Sequence, residues 1–436
     1  MPKEIDRFLS DTEGNAFKHA DMLALIFAAL ALGLQNGVFD RNGGQWVQGA
    51  MESELSKGDV YIAAAMQALR LASFTNRPSL LGIQALIMIG PYLTNGGKFL
   101  DAWGLFGITI RLAQSIGLHR HHVYLDPAPP LRECGVRQAL WWWMLHMDQQ
   151  YSMTLGRPLG ISGIGDCPPP EPLTTNRIVQ RVSQYINQFT IVARQILSSD
   201  RLSTPTIDEF TDRLLGLMET LPEAVRFDKS WLDPNKETPE WPLDAIAAFF
   251  YGKTHNYLGL LNKQRRGDSR TDGCRGRDRV LASARASLDA FEFYNTRARA
   301  AMVCWTMGQM AFNSAMILII SMLETGELDD MWLVHRTYAS FLEMHQKGIH
   351  RLAGLAVEKL TALLELFDDP SAREKDSVMG QTGMLLLEDP GLQGFIGEGF
   401  APLGFQMVGG DLAGPGVNNG TPSWAARPAG PNTSSG

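Results

Sequence analysis

Three histidines crowd one short stretch, His119, His121 and His122. Imidazoles so close together can ligate a metal, yet no carboxylate or thiol is spaced to complete a ligand set. They read as structural or solvated side chains. The four cysteines, Cys134, Cys167, Cys274 and Cys304, stand at least 30 residues apart, so no Cys/His finger spacing arises. Two acidic pairs invite comparison with the magnesium-binding Asp motifs of all-helical diphosphate enzymes. Asp329-Asp330 is followed by MWL and Asp368-Asp369 by PSA, so neither supplies a third carboxylate at the right offset. The string GISGIG at 160–165 lacks the spacing of a Gly-x-Ser-x-Gly nucleophile elbow. Neither a Gly-rich phosphate loop with its Lys nor a His-Glu-x-x-His pair occurs. No catalytic residue and no metal ligand is assigned. One concentration of positive charge remains, Lys263, Arg265, Arg266 and Arg270, continuing to Arg279. It offers a nuclear-import signal or a phosphate contact, but three aspartates dilute it and a solvated loop is the simpler reading.

The elements that carry these residues read as helices almost throughout. Apolar residues make up 45% of the 436 and charged residues 19%, enough for a sizeable core. Helical patterning predicts helices at about 15–36, 58–74, 79–95, 98–117, 131–156, 176–199, 207–220, 240–263, 277–294, 297–325 and 329–367. Loops carry the expected breakers, such as Asn42-Gly43-Gly44 and Pro168-Pro169-Pro170. Pro91 predicts a kink or break inside the third helix. The fold class expected is all-α: a large multi-helix bundle of packed helical hairpins. The apolar runs Met22–Leu34 and Met316–Leu323 are shorter than the roughly 20 residues a membrane span requires and read as buried core helices. The charged opening MPKEIDRFLS is unlike a signal peptide, and scattered cysteines suit a reduced compartment. A net charge of −7 argues against an extended nucleic-acid footprint, which needs a basic face.

Two adjoining helices end on sharp stop signals. DAWGLFGITIRLAQSIGLHR (101–120) closes at Gly117, which can take the left-handed conformation that caps a helix, with His119 and Arg120 placed to serve its last carbonyls. VRQALWWWMLHMDQQYSMTLGRP (136–158) stops at Gly156-Arg157-Pro158. This pairing resembles the middle homology region of fungal binuclear zinc-cluster (Zn2Cys6-type) transcription factors. The matching residues are Ala102, Gly107, Arg111, Ala113, Gly117, Leu118, His119 and Arg120, then Arg137, Trp141, Trp142, Asp148, Ser152, Gly156, Arg157 and Pro158. Gln149 stands where the family usually has Arg, and Ile116 where Leu or Met is common. The resemblance is strongest over 79–172.

The resemblance implies a nuclear regulator of transcription, controlling genes of a metabolic pathway, secondary-metabolite pathways included. Its alternative is a helical scaffold or metabolite-binding co-regulator that never touches DNA. A zinc cluster needs six thiolates in tight pairs, which the four cysteines cannot supply. Zinc would therefore enter only through a cluster upstream of this chain, and DNA would be reached indirectly. Pairing with a second copy or with a complete zinc-cluster regulator is one expected partnership; a small-molecule effector is another. No membrane association is expected. Trp141, Trp142 and Trp143 point in three directions about 100° apart on a helix, so their helix should be buried. Asp148, seven residues on from Trp141, then needs an ion-pair partner, and Arg157 and Arg111 are the candidates. Residues 1–370 read as the helical regulatory domain and 371–436 as a flexible tail. Within the tail the apolar segment 385–407 suggests a docking site for a coactivator, or an arm packed on the bundle.

Overall fold

The computed structural model describes residues 2–36, 50–171, 174–199, 202–265, 270–349 and 351–367. Among these the fold is all-α, with no strand. Seven helices lead up to and include the Trp-rich segment: α1 (Pro2–Leu9), α2 (Thr12–Lys18), α3 (Ala20–Asn36), α4 (Ala50–Leu71), α5 (Leu80–Asn95), α6 (Phe99–Ser115) and α7 (Leu131–Leu155). Seven follow it: α8 (Arg177–Leu197), α9 (Thr204–Glu219), α10 (Leu243–Lys263), α11 (Arg270–Arg297), α12 (Trp305–Thr325), α13 (Met331–Gln346) and α14 (Arg351–Glu365). The tail 371–436, its apolar segment 385–407, and Arg266 lie outside the described residues.

Two apolar cores organise the bundle. The first gathers Leu25, Leu69, Ile83, Ile89, Phe106, Trp141 and Leu145 from α3 to α7. The second gathers Phe189, Phe210, Tyr257, Phe291, Met310 and Phe341 from α8 to α13, closed by Leu360 of α14. The long helix α7 serves both: Trp141 and Leu145 belong to the first core, while Met153 packs against the second.

Local signals explain most helix boundaries. Ser79 caps α5 by accepting from the Gly82 amide at 3.1 Å and donates to Asp21 at 2.7 Å, which pins the start of α5 to the start of α3. Asn176 caps α8 by accepting from the Ile178 amide at 2.9 Å. Several elements differ from the sequence expectation, beginning with α1, which no expected helix covers. The first predicted helix is two, α2 and α3, bent by 109° at a break between them. The last is also two, because Gly348 takes φ 66 between α13 and α14. Pro91 breaks nothing: α5 runs through it. Proline costs a helix one hydrogen bond, but α5 buries Ile83, Leu86, Ile89 and Tyr92, and such packing supplies most helix stability in proteins. Thr94 adds a hydrogen bond to the Pro91 carbonyl at 2.9 Å. By length and composition α12 could cross a membrane, yet 78% of its apolar window is buried inside the bundle. It is the central helix of the second core.

Candidate functional site

Both glycines close their helices as the sequence suggests, but the Ile116 carbonyl at the end of α6 is served by the Arg137 side chain and not by His119 or Arg120. Gly117 takes φ 73, and a Cβ there would meet Leu125 Cδ2 at 2.6 Å. Gly156 is left-handed at φ 60, and the Arg157 amide bonds back to the Ser152 carbonyl at 3.1 Å. The Ser152 hydroxyl donates to the Arg157 carbonyl, so the chain turns sharply ahead of Pro158. It then runs back along α7 as a loop that the helix holds by side chains. Trp141 Nε1 donates to the Ile164 carbonyl at 2.7 Å, and Trp142 Nε1 to the Cys167 carbonyl at 3.2 Å.

Asp148 is the centre of this clamp. Its carboxylate accepts from the Gly160 amide at 2.9 Å and the Ile161 amide at 3.1 Å. Its ion-pair partner is Arg194 of α8, at 2.8 Å, with both side chains almost wholly buried. Arg194 also donates to the carbonyls of Leu145 and Ile161, so the charge pair has its remaining protons and lone pairs served, as burial requires. The expected partners are elsewhere. The Arg157 guanidinium stacks over Trp103 at 5.9 Å, and Arg111 bonds Gln114 at 3.2 Å.

The preceding turn joins the same loop. His119 packs its ring 5.9 Å from Trp141, and its carbonyl accepts from the Asp166 amide at 3.1 Å. Arg120 pairs with Asp166 at 3.1 Å, while Arg137 reaches the Ile116 carbonyl that ends α6. Gly117, His119, Arg120, Trp141, Trp142, Asp148, Ser152, Gly156, Arg157 and Pro158 therefore converge on one clamp. It locks α6, α7, the 156–168 loop and, through Arg194, α8. Among the described residues no group of three His, Cys, Asp or Glu is placed to hold a metal ion, and His121 and His122 stack on each other at 4.4 Å.

The basic cluster is split by the fold. Arg265 pairs with Asp208 of α9, its side chain 1% exposed, and Arg279 joins the same carboxylate at 3.2 Å. These partners hold Asp208 below the usual carboxylate range, led by the Arg265 hydrogen bond. Lys263 is partly buried, which lowers its ammonium pKa. The Arg270 side chain and all of Arg266 fall outside the described residues.

Sequence reasoning missed a second set of residues, on the face of α7 turned toward α10. Lys253 is fully buried. Its amine donates to His146 Nε2 at 3.2 Å and otherwise faces the rings of Phe189, Phe249 and Phe250 at 5.6–5.9 Å. His146 Nδ1 meets Thr190 Oγ1 at 3.2 Å, and that hydroxyl already donates to the Ile186 carbonyl. The network thus places the imidazole proton on Nδ1 and leaves Nε2 to accept from Lys253. One turn further, the Tyr257 hydroxyl bonds Gln149, whose side-chain nitrogen is buried without a partner. The signal in the sequence was a lone Lys within the apolar run AAFFYGKTHNYLGLL.

Burial pushes the pKa of both bases well below their ordinary values, and the neighbouring Lys253 depresses His146 further. His255 is lowered to about 4 by burial alone. In each case the unfolded chain binds protons that the folded chain refuses, so stability falls with pH. For the histidines the loss begins below their ordinary 6.5 and continues toward the depressed value. For Lys253 it begins below 10.5, so the cost is already present at neutrality. Lys253→Met is expected to raise the melting temperature at pH 7 and to flatten the rise in stability from pH 7 toward 10. A variant less stable than the parent at pH 7 would contradict this account of Lys253.

The sequence model of the fungal specific transcription factor domain matches residues 4–164, from α1 to the clamp loop. An uncharacterized transcriptional regulatory protein of Schizosaccharomyces pombe is 35% identical over 86 residues, 20% of this chain and 10% of that protein. The transcription factor yanR of Aspergillus niger is 28% identical over 96 residues, 22% of this chain and 12% of its own. The transcription factor TAC1 of Candida albicans is 28% identical over 144 residues, 31% and 13% respectively. No solved structure matches. Residues 4–164 are thus similar to the fungal specific transcription factor domain. The match reaches further toward the N-terminus than the 79–172 stretch where the motifs lie. These matches cover 10–13% of the length of those relatives.

Proposed function

We propose that this chain regulates transcription, through a helical regulatory domain spanning residues 1–370 and acting in the nucleus. The carrying observation is the fungal specific transcription factor domain at 4–164, whose motif residues form the clamp around Asp148. The genes governed would be those of a metabolic pathway, including a secondary-metabolite pathway. Contact of these 436 residues with DNA would be indirect, through a second copy or a zinc-cluster regulator, because their four cysteines lack paired spacing. Residues 371–436 would act as the tail, with 385–407 docking a coactivator. The basic residues Lys263, Arg265, Arg266 and Arg270 would contribute to import only if the Arg265–Asp208 pair opens.

A second reading is favoured by the buried Lys253 seam: a metabolite-binding co-regulator, in which a small-molecule effector biases the packing of α7 on α10.

To test regulation, the full chain is fused to a heterologous DNA-binding domain and reporter output is measured. The expected result is a change of several-fold in either direction, with no sequence-specific footprint from the unfused chain at physiological salt. Specific protein–DNA affinities normally lie near 10⁻⁸ M or tighter. An unchanged reporter would overturn the regulatory reading, and a specific footprint by the chain alone would overturn indirect DNA contact.

A further inference from the structure

We propose that the seam between α7 and α10 binds a small monocarboxylate with an apolar body, its carboxylate held by the Lys253 amine and the Gln149 side-chain amide. The inference rests on the effector reading above and names the chemistry of that effector.

The seam has more donors than acceptors. Among the described residues the Lys253 amine has one hydrogen-bond acceptor, His146 Nε2, and no carboxylate pairs with it. Gln149 and Tyr257 together carry three N–H and O–H protons, and one bond joins them. Turning the amide over leaves the same count, since the tyrosine proton then becomes the unused donor. Neither residue is exposed, so water at the surface does not supply the missing acceptors. Buried donors without acceptors are costly. His146 and Thr190 are already committed to each other and to the Ile186 carbonyl. Lys253 and Tyr257 lie one turn apart on α10, as His146 and Gln149 do on α7, so the unused donors form a compact group.

The chemistry of the acceptor follows from charge and walls. One amine can neutralise one negative charge. The other nearby cation, Arg194, is committed to Asp148. A monoanion fits where a dianion would leave a charge unmatched. A carboxylate has two oxygens able to accept from two donors at once. Phe189, Phe249 and Phe250 surround the amine, so the rest of the ligand must be apolar. Met153, on the same α7 face as Gln149 and bonded through sulfur by Asn256, is a side chain that can rearrange to admit it.

Binding also moves a proton. Burial lowers the Lys253 pKa in the free protein, which favours the neutral amine, and the bound pair is carboxylate with ammonium. The balance is R–COO⁻ plus H⁺ plus Lys253–NH₂ giving R–COO⁻·⁺H₃N–Lys253, one proton taken up for each anion. Apparent affinity then falls about tenfold per pH unit wherever the free amine is neutral and the free acid ionised.

The test uses the full 436-residue chain with benzoate and hexanoate as probes, and benzamide and inorganic phosphate as controls. Melting temperature reports binding to the native state. Fluorescence gives a second readout, because Trp143 stacks on His146 at 5.7 Å. The expected result is stabilisation by the carboxylates and not by the controls, with affinity weakening as pH rises. Lys253→Met, whose own melting curve shows that it folds, should lose the effect, and Gln149→Leu should reduce it. Carboxylate binding unchanged in Lys253→Met, affinity flat with pH, or no stabilisation by either acid would overturn the proposal. Equal stabilisation of parent and Lys253→Met by benzamide would also overturn it, while leaving an effector site of other chemistry standing.

Discussion

Arg194→Met is expected to destabilise the folded chain by about 3–5 kcal/mol, the usual cost of stranding one charge of a buried pair. The substitution leaves the Asp148 carboxylate buried with only the Gly160 and Ile161 amides and strips donors from two carbonyls. Arg157→Met and Arg111→Met supply the comparison. Both arginines are exposed, and their contacts with Trp103 and Gln114 should be worth under about 1 kcal/mol. Urea unfolding at pH 7 of the three variants decides the matter. Equal losses for Arg194 and Arg157 would mean that Asp148 has no special dependence on α8.

Trp141→Ala should cost about 3–5 kcal/mol, as large-to-small changes in a packed core do. Trp141 is 0% exposed and sits in the first core, and its indole nitrogen also holds the loop at Ile164. The same change at Trp143, which is 47% exposed, should fall within about 0.5 kcal/mol of the parent. Thermal unfolding of both variants measures the contrast. Equal effects would show that α7 does not present its tryptophans to different surroundings.

That contrast shows what could be read from residues alone. Gly117 and Gly156 were legible because a left-handed cap is a local requirement, met by glycine whatever the rest of the chain does. The burial of Trp141 followed from the apolar helix around it. Which tryptophan would face outward did not, since a helix apolar nearly all round carries no phase. Arg194 was illegible for a related reason. It lies 46 residues from Asp148 in sequence, on a helix that reads as amphipathic, and its pairing exists only once α8 docks on α7. Proximity in the motif favoured Arg157 and Arg111, but the stop at Gly156 turns Arg157 toward Trp103. His146 and Lys253 are separated by 107 positions, so nothing local announces their contact. Pro91 does not break α5 because core packing outweighs local propensity there. The breaks between α2 and α3 and at Gly348 were hidden by apolar patterning that continues across both.

The clamp explains why the motif residues are of these types. Beside the motif, glycine at 160 lets the loop approach closely, since a Cβ would meet Ile110 Cδ1 at 2.9 Å and Asp148 Oδ1 at 3.2 Å. Tryptophan at 141 and 142 combines bulk for the core with one donor each for the returning loop. The clamp is thus a joint between the two cores, and α7 carries the Lys253 seam on the same turns that hold Asp148. An effector that shifts α7 against α10 would act directly on that joint, the kind of two-state element that coupling between sites needs.

The most direct measurement is transcript profiling of cells that naturally express the chain, comparing the parent, a deletion, and Trp143→Ala and Arg194→Met alleles. The account predicts that deletion alters a confined set of transcripts, that Arg194→Met reproduces the deletion by collapsing the clamp, and that Trp143→Ala matches the parent. A deletion that leaves every transcript at its parental level would contradict a role in transcription.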